Sequence, residues 1–118
     1  MNKNRWLILP GIISSVFAFA QLPTVSAGKL IRHETFPSRF VKPRTVDVWL
    51  PENYSTEKKF AVLYLQDGQM LFDKSITWNG QEWGVDETAS SLMQQKTILP
   101  FIVVGVWNGG SDRHMEYC

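Results

Sequence analysis

Two short polar stretches hold the residues whose types and spacing could do chemistry. They are Gln66-Asp67-Gly68-Gln69-Met70 and Asn108-Gly109-Gly110-Ser111-Asp112. Each follows an apolar run, FAVLYL (60–65) in the first case and PFIVVGVW (100–107) in the second. Glycine lets a backbone turn sharply or approach another group closely. A sharp corner after a strand can aim a backbone N–H at an oxygen that gains negative charge during a reaction, which is the demand of an oxyanion hole. The same residues would also serve a plain polar turn, because Asp-Gly is a pair that tight turns select.

The elements around these corners follow from the pattern of apolar residues. Leu30–Phe36 reads as a strand with mixed faces, broken by Pro37 and Ser38. Thr45–Leu50 alternates, with Val46, Val48 and Leu50 on one side and Asp47 and Trp49 on the other, and stops at Pro51. Phe60–Leu65 and Pro100–Trp107 are apolar on both faces, the pattern of strands buried on both sides of a parallel sheet. Between them, Val85, Ala89, Leu92 and Met93 form one stripe of a helix over Val85–Gln95. Asp86 and Glu87 in its first turn and Lys96 past its end agree with the helix dipole. Strand, helix, strand predicts a parallel βαβ unit with a right-handed crossover. The expected class is α/β, two early strands followed by this unit. Ligands of such sheets bind beyond the carboxyl ends of the parallel strands, where both polar corners fall.

LPENY (50–54), VLYLQDGQMLFD (62–73), EWGVDE (82–87) and PFIVVGVWNGG (100–110), with Arg113, Glu116 and Tyr117, resemble the N-terminal part of a family of serine esterases. These are the enterochelin-esterase-like or esterase D-like proteins of the α/β-hydrolase superfamily. The resemblance covers nearly all of Leu30–Cys118. It implies hydrolysis of carboxylic esters by a Ser-His-Asp/Glu triad, without a cofactor. It also implies that Gly68 and Gln69 form the oxyanion corner, the Gln69 backbone N–H donating and Gly68 allowing the approach. Gln66 stands where many relatives carry His.

The superfamily sets its nucleophile in G-x-S-x-G, with the acid and histidine later in the chain. No G-x-S-x-G occurs here; Ser90 and Ser91 lie in the expected helix, and Ser111 lacks the flanking glycine pattern. His33 falls on an expected solvated strand face and His114 after a strand end. All three triad positions are therefore expected beyond Cys118, on the resemblance, and the chain alone is expected to be inactive. The superfamily's strand order would then leave Phe60–Leu65 at a sheet edge, prone to aggregate.

Asp67, Trp78, Asn108 and Arg113 are the candidate substrate-binding residues. Trp49, Trp83 and Trp107 are expected in the core, whereas Trp78 lies in the loop 75–81. A second reading, of a different class, is a small exported glycan- or peptide-binding module without catalytic activity, using Trp78 and the two glycine corners.

The 118 residues leave room for one domain, and a net charge of +1 with interspersed signs gives no basic face for nucleic acid. No metal-ligand spacing links Asp73, Asp86 and Asp112, and no phosphate loop or dinucleotide fingerprint is present. Lys3 and Arg5, the apolar run Trp6–Ala20 and the polar stretch QLPTVSA (21–27) form the three-part pattern of a secretory signal. Ala18-Phe19-Ala20 and Val25-Ser26-Ala27 both offer a cleavage site. Pro23 favours the second, with residues 1–27 as signal and 28–118 as an incomplete esterase domain. The protein is then expected to be periplasmic or secreted, without a stable membrane anchor, acting on a small-molecule ester.

Overall fold

The computed structural model describes residues 21–118. Its strands are β1 (Lys29–Phe36), β2 (Arg44–Leu50), β3 (Ala61–Leu65) and β4 (Phe101–Val106). They form one sheet in the order β1-β2-β4-β3, in which β2 runs antiparallel to both β1 and β4. β3 lies parallel to β4, and the chain crosses between them through helix α1 (Val85–Gln94). The described chain is thus an α/β arrangement around a mixed four-stranded sheet, with the parallel βαβ pair at one side.

The register sorts side chains into two faces. Leu30 pairs with Trp49, Trp49 with Val103, and Val103 with Leu63, so this row points to one side. The row Arg32, Asp47, Gly105 and Leu65 lies on the same side. On this face Leu30, Trp49 and Val103 pack with Leu71, Phe72 and Ala89 into the core, with Val25, Val85 and Met93 at its margin. The alternation expected for β2 holds, and the face that enters this core carries Asp47 and Trp49. Asp47 is fully buried there and takes a bidentate pair from Arg32, Nε to Oδ1 and Nη2 to Oδ2, both at 2.8 Å. The Trp107 indole N–H donates to Oδ2 at 2.8 Å, and the Arg32 guanidinium also stacks over the Trp107 ring. These three donors satisfy a polar group that burial would otherwise leave unpaired.

β3 departs from the burial its sequence suggests. Among the described residues its only strand neighbour is β4, and Val62, Leu63 and Tyr64 are exposed. The strand is apolar on both faces because of its composition, but in the described chain only Leu65 packs against the core. It stands at the sheet edge, as the expected strand order requires.

Helix α1 begins after Gly84, which adopts a left-handed φ of 58°, and Lys96 has left the helix with φ 57°. Ala89 of its stripe is buried. Asp86 stands in the first turn, as its agreement with the helix dipole requires, and is fully buried there. Met1–Ala20, most of the expected signal segment, lie outside the described residues. Gln21–Ala27 are described, and Thr24, Ser26 and Ala27 are hydrogen-bonded to the domain. Among the described residues, no helix is long and apolar enough to cross a membrane.

Candidate functional site: two strand-end corners joined over a cleft

The corner after β3 is a single 3-10 turn, Gly68–Met70, entered through Asp67. The left-handed backbone falls on Asp67, φ 54°, and not on the glycine. Aspartate tolerates this region better than most side chains do. Gly68 is required for a different reason. A Cβ there would lie 2.7 Å from the Gly105 carbonyl carbon and 2.8 Å from its oxygen, both backbone atoms of β4. The expected close approach at Gly68 is thus to the neighbouring strand. It lets the turn sit directly against the sheet, while Leu71 occupies the space that a side chain at Gly105 would need.

Within this turn the Met70 N–H bonds the Asp67 carbonyl at 2.8 Å, and the Leu71 N–H bonds the Gly68 carbonyl at 3.4 Å. Among the described residues the Gln69 N–H makes no such bond. The Gln69 side chain is fixed from the other corner, its Oε1 accepting from the Asn108 N–H at 3.3 Å.

Asp67 ties the two corners together. Its Oδ1 accepts from Asn108 Nδ2 at 2.6 Å, from Arg113 Nε at 3.0 Å and from the Tyr117 hydroxyl at 3.2 Å. Its Oδ2 accepts from Arg113 Nη2 at 2.8 Å. The Arg113 hydrogen bonds, with those from Asn108 and Tyr117, lower the Asp67 pKa to about 2 against the opposing effect of burial. Asp67 is ionised at neutral pH, and its lone pairs are occupied by protein donors. It therefore holds the corner in place more than it offers itself to a ligand. The second corner is braced in turn. Asn108 Oδ1 accepts from the Gly110 N–H at 2.9 Å, Gly110 has φ 65°, and the Gly109 N–H donates to Glu116 at 2.9 Å.

The joined corners form one wall of an open cleft of about 710 Å³. Asp67, Gln69, Trp78, Asn108 and Arg113, all singled out from the sequence, lie on its lining. Gly68 lies beneath, buried against β4. Trp83 and Trp107, expected in the core, also line the cleft; Trp83 is half exposed and Trp78 is 86% exposed. The Trp83 N–H bonds the Met70 carbonyl at 2.8 Å, which fixes the loop that carries both rings relative to the corner after β3. Trp83 is expected in the core, whereas this pairing folds its loop back toward the cleft.

Other candidates lie apart from the cleft. His33 is exposed on β1, and His114 is exposed on the short helix α2 (Arg113–Glu116). Ser90 and Ser91 are in α1, and Ser111 is exposed in a 3-10 turn. Asp73 binds the Ser75 and Thr24 N–H groups, Asp86 binds Ser26, and Asp112 pairs with Lys42 at 2.8 Å. Among the described residues, no group of His, Cys, Asp and Glu is arranged to hold a metal ion.

A glycine-seated corner thus stands beside a cleft at the carboxyl end of a parallel strand, where ligands of such sheets bind. The family model described as Putative esterase matches residues 38–118. The chain belongs to that esterase family. The matched region takes in β2, β3, α1, β4 and both corners, so every part of the cleft lies within the esterase match. No curated protein matches the chain.

Proposed function

We propose that this chain is the N-terminal part of an exported carboxylic-ester hydrolase of α/β-hydrolase fold. In this reading its Ser-His-Asp/Glu triad is carried by chain beyond residue 118. The Gln69 backbone N–H is one donor to the oxyanion formed when the serine attacks the ester carbonyl. The observation that carries the proposal is that N–H: among the described residues it makes no hydrogen bond, and it belongs to a cleft-lining residue in a corner fixed by Gly68 and Asp67. Asn108 and Arg113 brace the corner, and Trp78 and Trp83 offer aromatic surface to the rest of the ester.

A nucleophile and its base must lie within hydrogen-bond reach. Among the described residues, no serine is bonded to a histidine. The 118-residue chain should therefore hydrolyse p-nitrophenyl acetate at the blank rate. Extending the reading frame until it includes a G-x-S-x-G elbow and a late histidine should bring hydrolysis. In that longer protein Gln69→Pro, which removes the N–H, should lower kcat by about 10²–10³-fold. Gln69→Ala, which keeps it, should have a far smaller effect. Equal losses in the two variants would refute the backbone donor.

The exposure of Trp78 beside Trp83 favours one other reading, a glycan- or peptide-binding module. Saturable oligosaccharide binding by the 118-residue chain, lost in Trp78→Ala, would support it over the hydrolase.

A further inference from the structure

The segment after Ala20 is bonded into the domain along its length. Pro23 is buried and Val25 packs against the core. The Gln21 carbonyl accepts from Arg32 Nη1 at 2.9 Å, and the Thr24 N–H donates to Asp73 Oδ2 at 2.7 Å. The Ser26 N–H and hydroxyl both donate to Asp86 Oδ2, at 2.7 and 3.0 Å, and the hydroxyl also contacts Glu87 Oε1. The Ala27 carbonyl accepts from the Trp49 indole N–H at 2.8 Å. Gly28 is locked with φ 74°, and a Cβ there would lie 2.4 Å from the Leu50 carbonyl oxygen.

We infer that the leader is cut between Ala20 and Gln21, and that Gln21–Ala27 remain as a strap that completes the fold. The inference rests on the export reading above. Ala18 and Ala20 supply the small residues that the cut needs, as Val25 and Ala27 do, and in the sequence only Pro23 tips the choice toward the second site. The products differ. Asp86 is fully buried, its Oδ1 is already without a partner, and both donors to its Oδ2 come from Ser26. A cut after Ala27 removes them and strands a buried carboxylate, a costly state for a charge. It also leaves the Trp49 indole N–H, in the centre of the core, without its acceptor. A cut after Ala20 spares every one of these bonds.

The chain expressed from Met1 in an exporting host, recovered from the exported fraction and weighed intact, tests the inference. The expected mass is that of Gln21–Cys118, or that mass less one ammonia. The loss arises when the new α-amine of Gln21 attacks its own side-chain amide carbonyl, closing a lactam as ammonia leaves. A product beginning at Gly28 would overturn the strap and leave the export reading standing. An uncut product retaining Met1 would overturn both. A second measurement addresses the strap itself. Ser26→Pro removes the N–H and the hydroxyl together, and should lower the thermal midpoint of the exported protein by several degrees, with Ser26→Ala intermediate. Unchanged midpoints in both variants would also overturn the strap.

Discussion

Replacing Asp67 with asparagine keeps the shape of the clasp but removes its charge. The carboxyl pKa falls from 3.8 to about 2 on folding, first because of the Arg113 hydrogen bonds. At about 1.4 kcal/mol per pKa unit, that shift corresponds to roughly 2.5 kcal/mol of stability at neutral pH. Arg113 is half exposed, so solvent screening brings the expected contribution to about 1–2 kcal/mol. The folded pKa lies below the unfolded one. The contribution is therefore complete above the unfolded value of 3.8 and is lost as pH falls through about 2. Urea unfolding followed by tryptophan fluorescence, at low protein concentration and a series of pH values, would measure it. Asp67→Asn should be less stable than the parent chain near neutrality, and the gap should close toward about pH 2. The other carboxylates titrate alike in both proteins and cancel. With Arg113→Gln in the background, most of the pH-dependent gap should disappear. A gap that is constant with pH, or none at neutrality, would refute the clasp as an electrostatic device.

Arg32→Met leaves the fully buried Asp47 without its ion-pair partner, and should destabilise by about 3–5 kcal/mol in denaturant unfolding. Gly68→Ala sets a methyl against the β4 backbone, and should cost about 1–3 kcal/mol in the same assay. In the extended enzyme Gly68→Ala should also reduce kcat more than KM changes, because the displaced turn carries the proposed oxyanion donor. Tyr64 stands on the open edge strand at 71% exposure, and Tyr64→Lys should reduce aggregation of the 118-residue chain in light scattering. Unaltered aggregation would show that β3 is not the adhesive edge.

Much of the framework was legible because its signals are local. The period-2 alternation in TVDVWL, the helical stripe Val85, Ala89, Leu92 and Met93, and the Asp-Gly corner after an apolar run each need only a few neighbouring residues to be recognised. These signals located the elements, the two polar corners and the cleft residues Asp67, Gln69, Trp78, Asn108 and Arg113. They did not reveal what each residue does there. Asp67 read as a ligand contact became a clasp, because its donors lie 41 to 50 residues away and meet it only when β3 and β4 pair. Gly68 serves the packing of a turn on Gly105, a proximity set by strand register. Asp47 and Asp86 are charged residues in the interior, and their partners Arg32 and Ser26 are distant in sequence. Trp83 turns outward because its N–H is captured by the Met70 carbonyl. Sequence alone determined where strands, helix and corners form, since backbone propensity and hydrophobic period act within a few residues. Tertiary structure decided which polar groups are buried and paired, since that depends on contacts between segments far apart in the chain.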